Sequence, residues 1–219
     1  MSRTFIDLSL DVVHGAPTFA WDPKCAVIVH NTVETIGYNI TQLSMSTHQG
    51  THLDAPFHFL NDGKTVEQLD LHKCIGEAVL IDLSHKRPKE AIGVADFLPY
   101  EHLIKEGALV IYRTDWDRQF PQPHYFSDFP YMTIELAEWL AARKIGMIGM
   151  DVPTPNPTDY TPVHHILLRA EIVIVEGLAH LGAIGTDRFF FMAAPLRIKG
   201  RDGSPVRALA MLESGDNQS

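Results

Sequence analysis

The sequence predicts an α/β fold in one domain, built on a mixed, twisted sheet, and three observations lead there. Short apolar runs rich in β-branched residues recur along the 219 residues. One amphipathic helical pattern runs directly into such a run, giving the strand-helix-strand rhythm of an α/β sheet. Glycine and proline breaks at hairpin-like spacing add antiparallel strands to it. A hydrophobic fraction of 45% and a mean hydropathy near zero fit a soluble chain with one sizeable core.

In order, the candidate strands are residues 5–8, 78–83, 108–112, 145–150, 172–175 and 206–211. Most are too short and too uniformly apolar to be half exposed, so a sheet covered on both faces is expected. The clearest helix is 134–144, with Thr133 as N-cap, Glu135 in the first turn, and Arg143 and Lys144 in the last. The turn-rich stretch 115–131, with Pro121, Pro123 and Pro130, reads as a loop over a site or a surface excursion. The domain is expected to span 1–213, followed by a polar tail at 214–219.

Charge and composition exclude several classes of function. A formal net charge of -9 argues against a nucleic-acid partner, because phosphate binding needs clustered Lys and Arg. The one basic run, Lys86-Arg87-Pro88-Lys89, reads as a solvated turn. No apolar run approaches a membrane span, and the acid at Asp7 comes too early for a secretory signal, so a cytoplasmic protein is expected. Cys25 and Cys74 lack metal or redox spacing and read as reduced, partly buried side chains.

The informative stretch is His48-Gln49-Gly50-Thr51-His52-Leu53-Asp54-Ala55-Pro56-Phe57-His58-Phe59. Its three histidines and one aspartate all fall on even positions, so an extended backbone would project them to one face. A helix would part Asp54 and His58 from His48 and His52, and Gly50 and Pro56 both oppose a helix interior. Imidazole and carboxylate without thiol form a ligand set for zinc, manganese or ferrous iron. A catalytic site completes such a cluster from a distant segment. His164 or His165, followed by Glu176 after an apolar run, are the candidates. Asp82, Asp151 and Glu176 share a position at or beside strand ends, where a sheet can lift carboxylates into a pocket.

This stretch resembles the signature of the cyclase-like metal-dependent hydrolases, a family that includes bacterial kynurenine formamidase and isatin hydrolase. The likeness continues through Ile6-Asp7-Leu8-Ser9, Gly149-Met150-Asp151, His164-His165-Ile166-Leu167-Leu168 and Val175-Glu176-Gly177-Leu178. It closes on Ala194-Pro195-Leu196 and Gly203-Ser204-Pro205-Val206-Arg207. The resemblance implies a swivelling β/β/α fold, usually a homodimer or homotetramer, acting on a small-molecule substrate. It implies His48, His52 and Asp54 as metal ligands, with Asp54 bridging two zinc ions, and His58 as the proton-transfer residue. His164 and Glu176 would complete the second position, which leaves His165 without a role. In isatin hydrolase an amide residue stands where Glu176 would match, with a single manganese, so Glu176 points to the two-metal, formamidase-like site.

The implied activity is hydrolysis of an amide C–N bond, most simply in an aryl formamide such as N-formylkynurenine. A divalent metal acidifies water and polarises a carbonyl, and a histidine of pKa about 6.5 can carry the proton to the leaving amine. Trp21 matches a position where formamidases place an aromatic side chain against the substrate ring. Ala20-Trp21-Asp22-Pro23 and Thr114-Asp115-Trp116 depart from the family pattern, which bears on specificity. Two rivals stand beside this reading: a hydrolase opening isatin-like cyclic amides or lactones, and a metal-binding homologue without turnover that binds small molecules.

Overall fold

In chain order the strands are β1 (Arg3–Asp7), β2 (Ala26–Asn31), β3 (Ile40–Ser44), β4 (His52–Asp54), β5 (Ile75–Asp82), β6 (Ala91–Ile92) and β7 (Leu109–Arg113). They continue as β8 (Tyr131–Met132), β9 (Met147–Met150), β10 (Val173–Glu176), β11 (Arg188–Met192), β12 (Gly203–Pro205) and β13 (Leu209–Glu213). The α-helices are α1 (Val33–Ile36), α2 (Val94–Phe97), α3 (Ile134–Ala142) and α4 (Tyr160–Arg169). These come from a computed structural model that describes residues 2–213, so the tail expected at 214–219 lies outside the described residues.

Nine strands form one sheet in the order β1-β13-β11-β5-β7-β9-β10-β4-β12. Its centre, β5-β7-β9-β10, is parallel, and the strands on either side are antiparallel. The four apolar runs expected to be covered on both faces form that centre. Alternation splits their side chains between two cores. Val79, Ile81, Val110, Tyr112, Ile148 and Ile174 pack with Leu136, Leu140, Val163 and Leu167 of α3 and α4. Ala78, Leu80, Leu109, Ile111, Val173 and Val175 pack with Leu53, Phe189, Phe191 and Ala210 from strands on both sides of the centre. The sheet therefore curls around its second core.

The expected helix forms, with the Thr133 side chain accepting from the Leu136 N–H at 3.2 Å. It ends two residues earlier than expected, because Lys144 takes a left-handed φ of 53°. The strand expected at 206–211 forms later, as β13, with Val206, Arg207 and Ala208 linking it to β12. Stretch 115–131 is no loose excursion: Trp116, Tyr125 and Phe129 are buried in the first core.

Strands β2 and β3 pair only with each other as a separate hairpin. Ile28, Val29, Ile40 and Leu43 on it are exposed. Among the described residues, no helix is long and apolar enough to cross a membrane.

Candidate metal centre

The floor of the site is β4, held between β10 and β12. The register sets His52 opposite Glu176 and Pro205, and Asp54 opposite Ile174 and Gly203. Leu53 turns into the second core, so His52 and Asp54 share the other face. This is where the expected alternation holds. It does not extend to the whole stretch from 48 to 58: Gly50 has a φ of 65°, and Pro56–His58 forms a 3-10 turn with proline at its start. His48 and His58 thus reach the cluster through turns at either end of a three-residue strand. Buried His164 arrives from α4, one turn after Tyr160.

Asp54 is the hub. Its Oδ1 lies 2.8 Å from His48 Nδ1 and 3.5 Å from His52 Nε2, while its Oδ2 lies 3.6 Å from His164 Nε2. Glu176 brings Oε2 within 3.3 Å of His52 Nε2 and Oε1 within 3.4 Å of His164 Nε2. Ligand atoms of His48, Asp54 and His58 lie within 4.8 Å of one another, and so do those of His52, Asp54 and Glu176. The two triads share Asp54.

Far from the carboxylates, the other nitrogens of two of the rings are tied to the main chain. His52 Nδ1 lies 2.9 Å from the Gly50 carbonyl oxygen, and His164 Nδ1 lies 2.6 Å from that of Tyr160. A carbonyl only accepts, so both Nδ1 atoms carry a proton and both Nε2 atoms are the ones that face the acids. Asp54 Oδ2 and Glu176 Oε1 are buried and have no hydrogen-bond partner. A buried carboxylate oxygen left unpaired is costly, and a cation among oxygens and imidazoles removes that cost. The residues therefore fit a divalent metal.

The protonation pattern without metal agrees. Burial of His48 opposes its charge, but Asp54 and Asp202 outweigh it and push the pKa up to about 10. For His164, burial is outweighed by the negative carboxylates of Asp54 and Glu176 beside Nε2, and the pKa rises to about 9. Burial raises the Asp54 carboxyl, yet His58 and His48 pull it well below the usual range. His58 differs from His48 and His164: burial lowers its pKa, so it is a neutral base. Its ring stacks on His48 at 3.8 Å between centroids.

Above the floor opens a cleft of about 340 Å³, lined by Phe19, Trp21, Phe59 and Tyr160 together with the histidines and Glu176. Trp21 is 97% exposed, so it packs against nothing and stands on the rim. His165 is half-buried beside Phe59, with the expected ligand role falling to its neighbour's position. Of the three strand-end acids, only Glu176 faces the cluster. Asp82 is exposed and paired with Arg113, and Asp151 accepts from Thr114 and Asp115. Sequence reasoning passed over Asp202, whose Oδ2 lies 2.6 Å from His48 Nε2. A lone acid in Arg201-Asp202-Gly203 reads as an ordinary turn, and no periodicity ties it to His48.

A family model described as "Putative cyclase" matches residues 6–157. The chain is 37% identical over 211 residues to a kynurenine formamidase of Geobacillus thermodenitrificans, covering 95% of this chain and 97% of that one. A kynurenine formamidase of Bacillus cytotoxicus is 34% identical over 94% of this chain and 96% of its own. Among solved structures, isatin hydrolase A from Labrenzia aggregata, bound to benzyl benzoate, superposes with a TM-score of 0.85 at 26% identity over 96% of this chain and 94% of its own. With most of its length matched and the motif residues gathered on one floor, the chain belongs to the cyclase family.

Proposed function

We propose that this protein is a metal-dependent hydrolase of amide C–N bonds whose substrate is an aryl formamide of the N-formylkynurenine kind. The observation that carries the reading is the pair of buried, unpartnered oxygens, Asp54 Oδ2 and Glu176 Oε1, facing histidine nitrogens at the foot of an aromatic-lined cleft. We take His48, His52, Asp54, His164 and Glu176 as the ligands of two zinc ions, with manganese as the alternative metal. A divalent cation bound there supplies acidified water and polarisation of the scissile carbonyl. Asp54 faces both triads, and its negative charge lets two cations sit close together.

His58 does the proton work. Held neutral by burial, a ring nitrogen accepts the proton of the attacking water and returns it to the leaving nitrogen. Water and amide are consumed, and amine and formate leave, so the histidine ends as it began. Trp21, Phe19 and Phe59 offer ring faces to the aryl group. Purified protein is expected to hold close to two equivalents of zinc or manganese and to hydrolyse N-formylkynurenine. Metal-free protein of undiminished activity overturns the reading.

Two further readings remain distinct in their outcomes. Preference for isatin in a substrate panel assigns the chain to ring opening, which the likeness to isatin hydrolase A favours and the acid at Glu176 disfavours. His58 also lies within ligating reach of His48 and Asp54. In His58→Ala, lost turnover with full metal content supports the shuttle, and lost metal makes His58 a ligand. Retained turnover removes both roles. We further read residues 1–213 as one domain of a cytoplasmic homodimer or homotetramer. The exposed apolar side chains of the β2–β3 hairpin support assembly, because an isolated two-stranded hairpin is marginal in water. Light scattering on the purified chain tests it, and a monomer overturns it.

A further inference from the structure

Three of the histidines around Asp54, namely His48, His52 and His164, are not anchored alike. His52 and His164 give their outer ring N–H to main-chain carbonyls, which no substitution removes. His48 gives its outer nitrogen, Nε2, to a side chain: Asp202 Oδ2 lies 2.6 Å away. That carboxylate is itself held. Thr47 Oγ1 donates to the same oxygen at 3.0 Å, and the Ala55 N–H donates to the Asp202 carbonyl at 2.9 Å. Gly203 completes the seat, since a Cβ there would come within 2.8 Å of His48 Cε1 and 2.7 Å of the Leu53 carbonyl oxygen. The His48 ring fits only because residue 203 has no side chain.

Building on the metal-hydrolase reading, we propose that Asp202 is a positioning residue of the metal centre: it takes the Nε2–H of His48 and leaves Nδ1, on the side of Asp54, as the nitrogen available to the metal. Nδ1 already lies 2.8 Å from Asp54 Oδ1, on the side of the shared acid. A bound metal would thus be held by His48 through Nδ1 and by His52 and His164 through Nε2. A carboxylate behind a ligating imidazole fixes its orientation and raises its basicity. Asp202 lies 154 positions from His48 in the chain, brought there by the pairing of β12 with β4.

The test titrates zinc against a chromogenic chelator into the stripped full-length protein and its Asp202→Ala and Asp202→Asn variants. Asp202→Ala is expected to weaken zinc by about 10–100-fold, the usual cost of losing such a partner, and Asp202→Asn by less, because its amide oxygen still accepts. Unchanged thermal midpoints of the metal-free forms establish that the variants fold. In zinc-loaded, ¹⁵N-labelled parent, the His48 ring is expected as the Nε2–H tautomer. Equal zinc affinity in Asp202→Ala and a zinc-binding parent overturns the inference while leaving the metal reading standing, as does an Nδ1–H tautomer in the parent. Lost activity at unchanged zinc affinity also overturns it, and assigns Asp202 to His58, whose Nδ1 is 4.0 Å from the same oxygen. A parent that takes up no zinc overturns the metal reading itself, and this inference with it.

Discussion

Two neighbouring strands of the parallel centre lead to buried acids, and the acids behave in opposite ways. Beyond β9, Asp151 receives the Thr114 N–H at 2.8 and 3.0 Å, the Thr114 hydroxyl at 2.6 Å and the Asp115 N–H at 2.7 Å. At the end of β10, Glu176 keeps an oxygen with no hydrogen-bond partner, as does Asp54 beside it on β4. Asp151 belongs to a group of three acids that also lie within 4.8 Å of one another, so proximity alone does not separate the two places. The donors do. Main-chain N–H groups already satisfy Asp151, which makes it a clasp between β7 and β9, whereas the acids of the metal centre are left for a cation.

The sharpest way to break this contrast is Asp54→Asn. It is expected to cost more than the roughly 10–100-fold in zinc affinity typical of an outer partner, because both triads lose their shared charge. Chelator competition measures it, and an affinity near the parent's removes Asp54 as hub. Asp151→Asn should do the reverse. It places an amide N–H where donors already point, at about 1–3 kcal/mol, each kcal/mol being worth about 2–4 °C of midpoint in a chain of this size. Zinc affinity should stay within about twofold, and a large loss would make Asp151 part of the centre.

Next in size is a proton effect. His48 and His164, at about 10 and about 9, are protonated at neutral pH without metal. Zinc uptake should therefore release about two protons, one from each ring, seen by calorimetry in buffers of different ionisation heat. Apparent zinc affinity then rises with pH up to 9–10. The metal-free fold shows the opposite sign. With folded pKa values above the ordinary 6.5, these histidines stabilise it fully below that value, and the contribution fades as pH rises through about 9 and 10. A thermal midpoint of the metal-free protein flat from pH 6 to 10 contradicts the charge pairing. The smallest effect belongs to Arg118→Ala, which loses one pair between an exposed guanidinium and Asp115 worth about 0–1 kcal/mol and leaves zinc uptake unchanged, as chelator competition and the thermal midpoint will show.

Much of this was legible in the residues, and the reasons differ by element. The parallel centre announced itself because strands buried on both faces are continuously apolar, and α3 because Thr133 caps it. The hairpin β2–β3 escaped notice since His30, Asn31, Thr41 and Gln42 interrupt its pattern. Helix α4 carries Pro162 in its first turn and two histidines in its middle, which blurs its apolar stripe. In the site, types and neighbours were visible but the path was not: alternation holds over His52–Asp54, and turns supply the rest. Asp202 depends on strand pairing between remote segments, which leaves no local trace.

That pairing also dictates an order of events. Strand β4 lies between partners that follow it by more than a hundred residues, β10 and β12. A nascent chain that has left the ribosome only as far as α3 carries His48, His52, Asp54 and His58, yet nothing holds them in register. Contacts so distant in sequence form late. The metal centre is thus complete only after Glu176 and then Asp202 have docked, so the last strands of the sheet finish a site whose first residues were made long before.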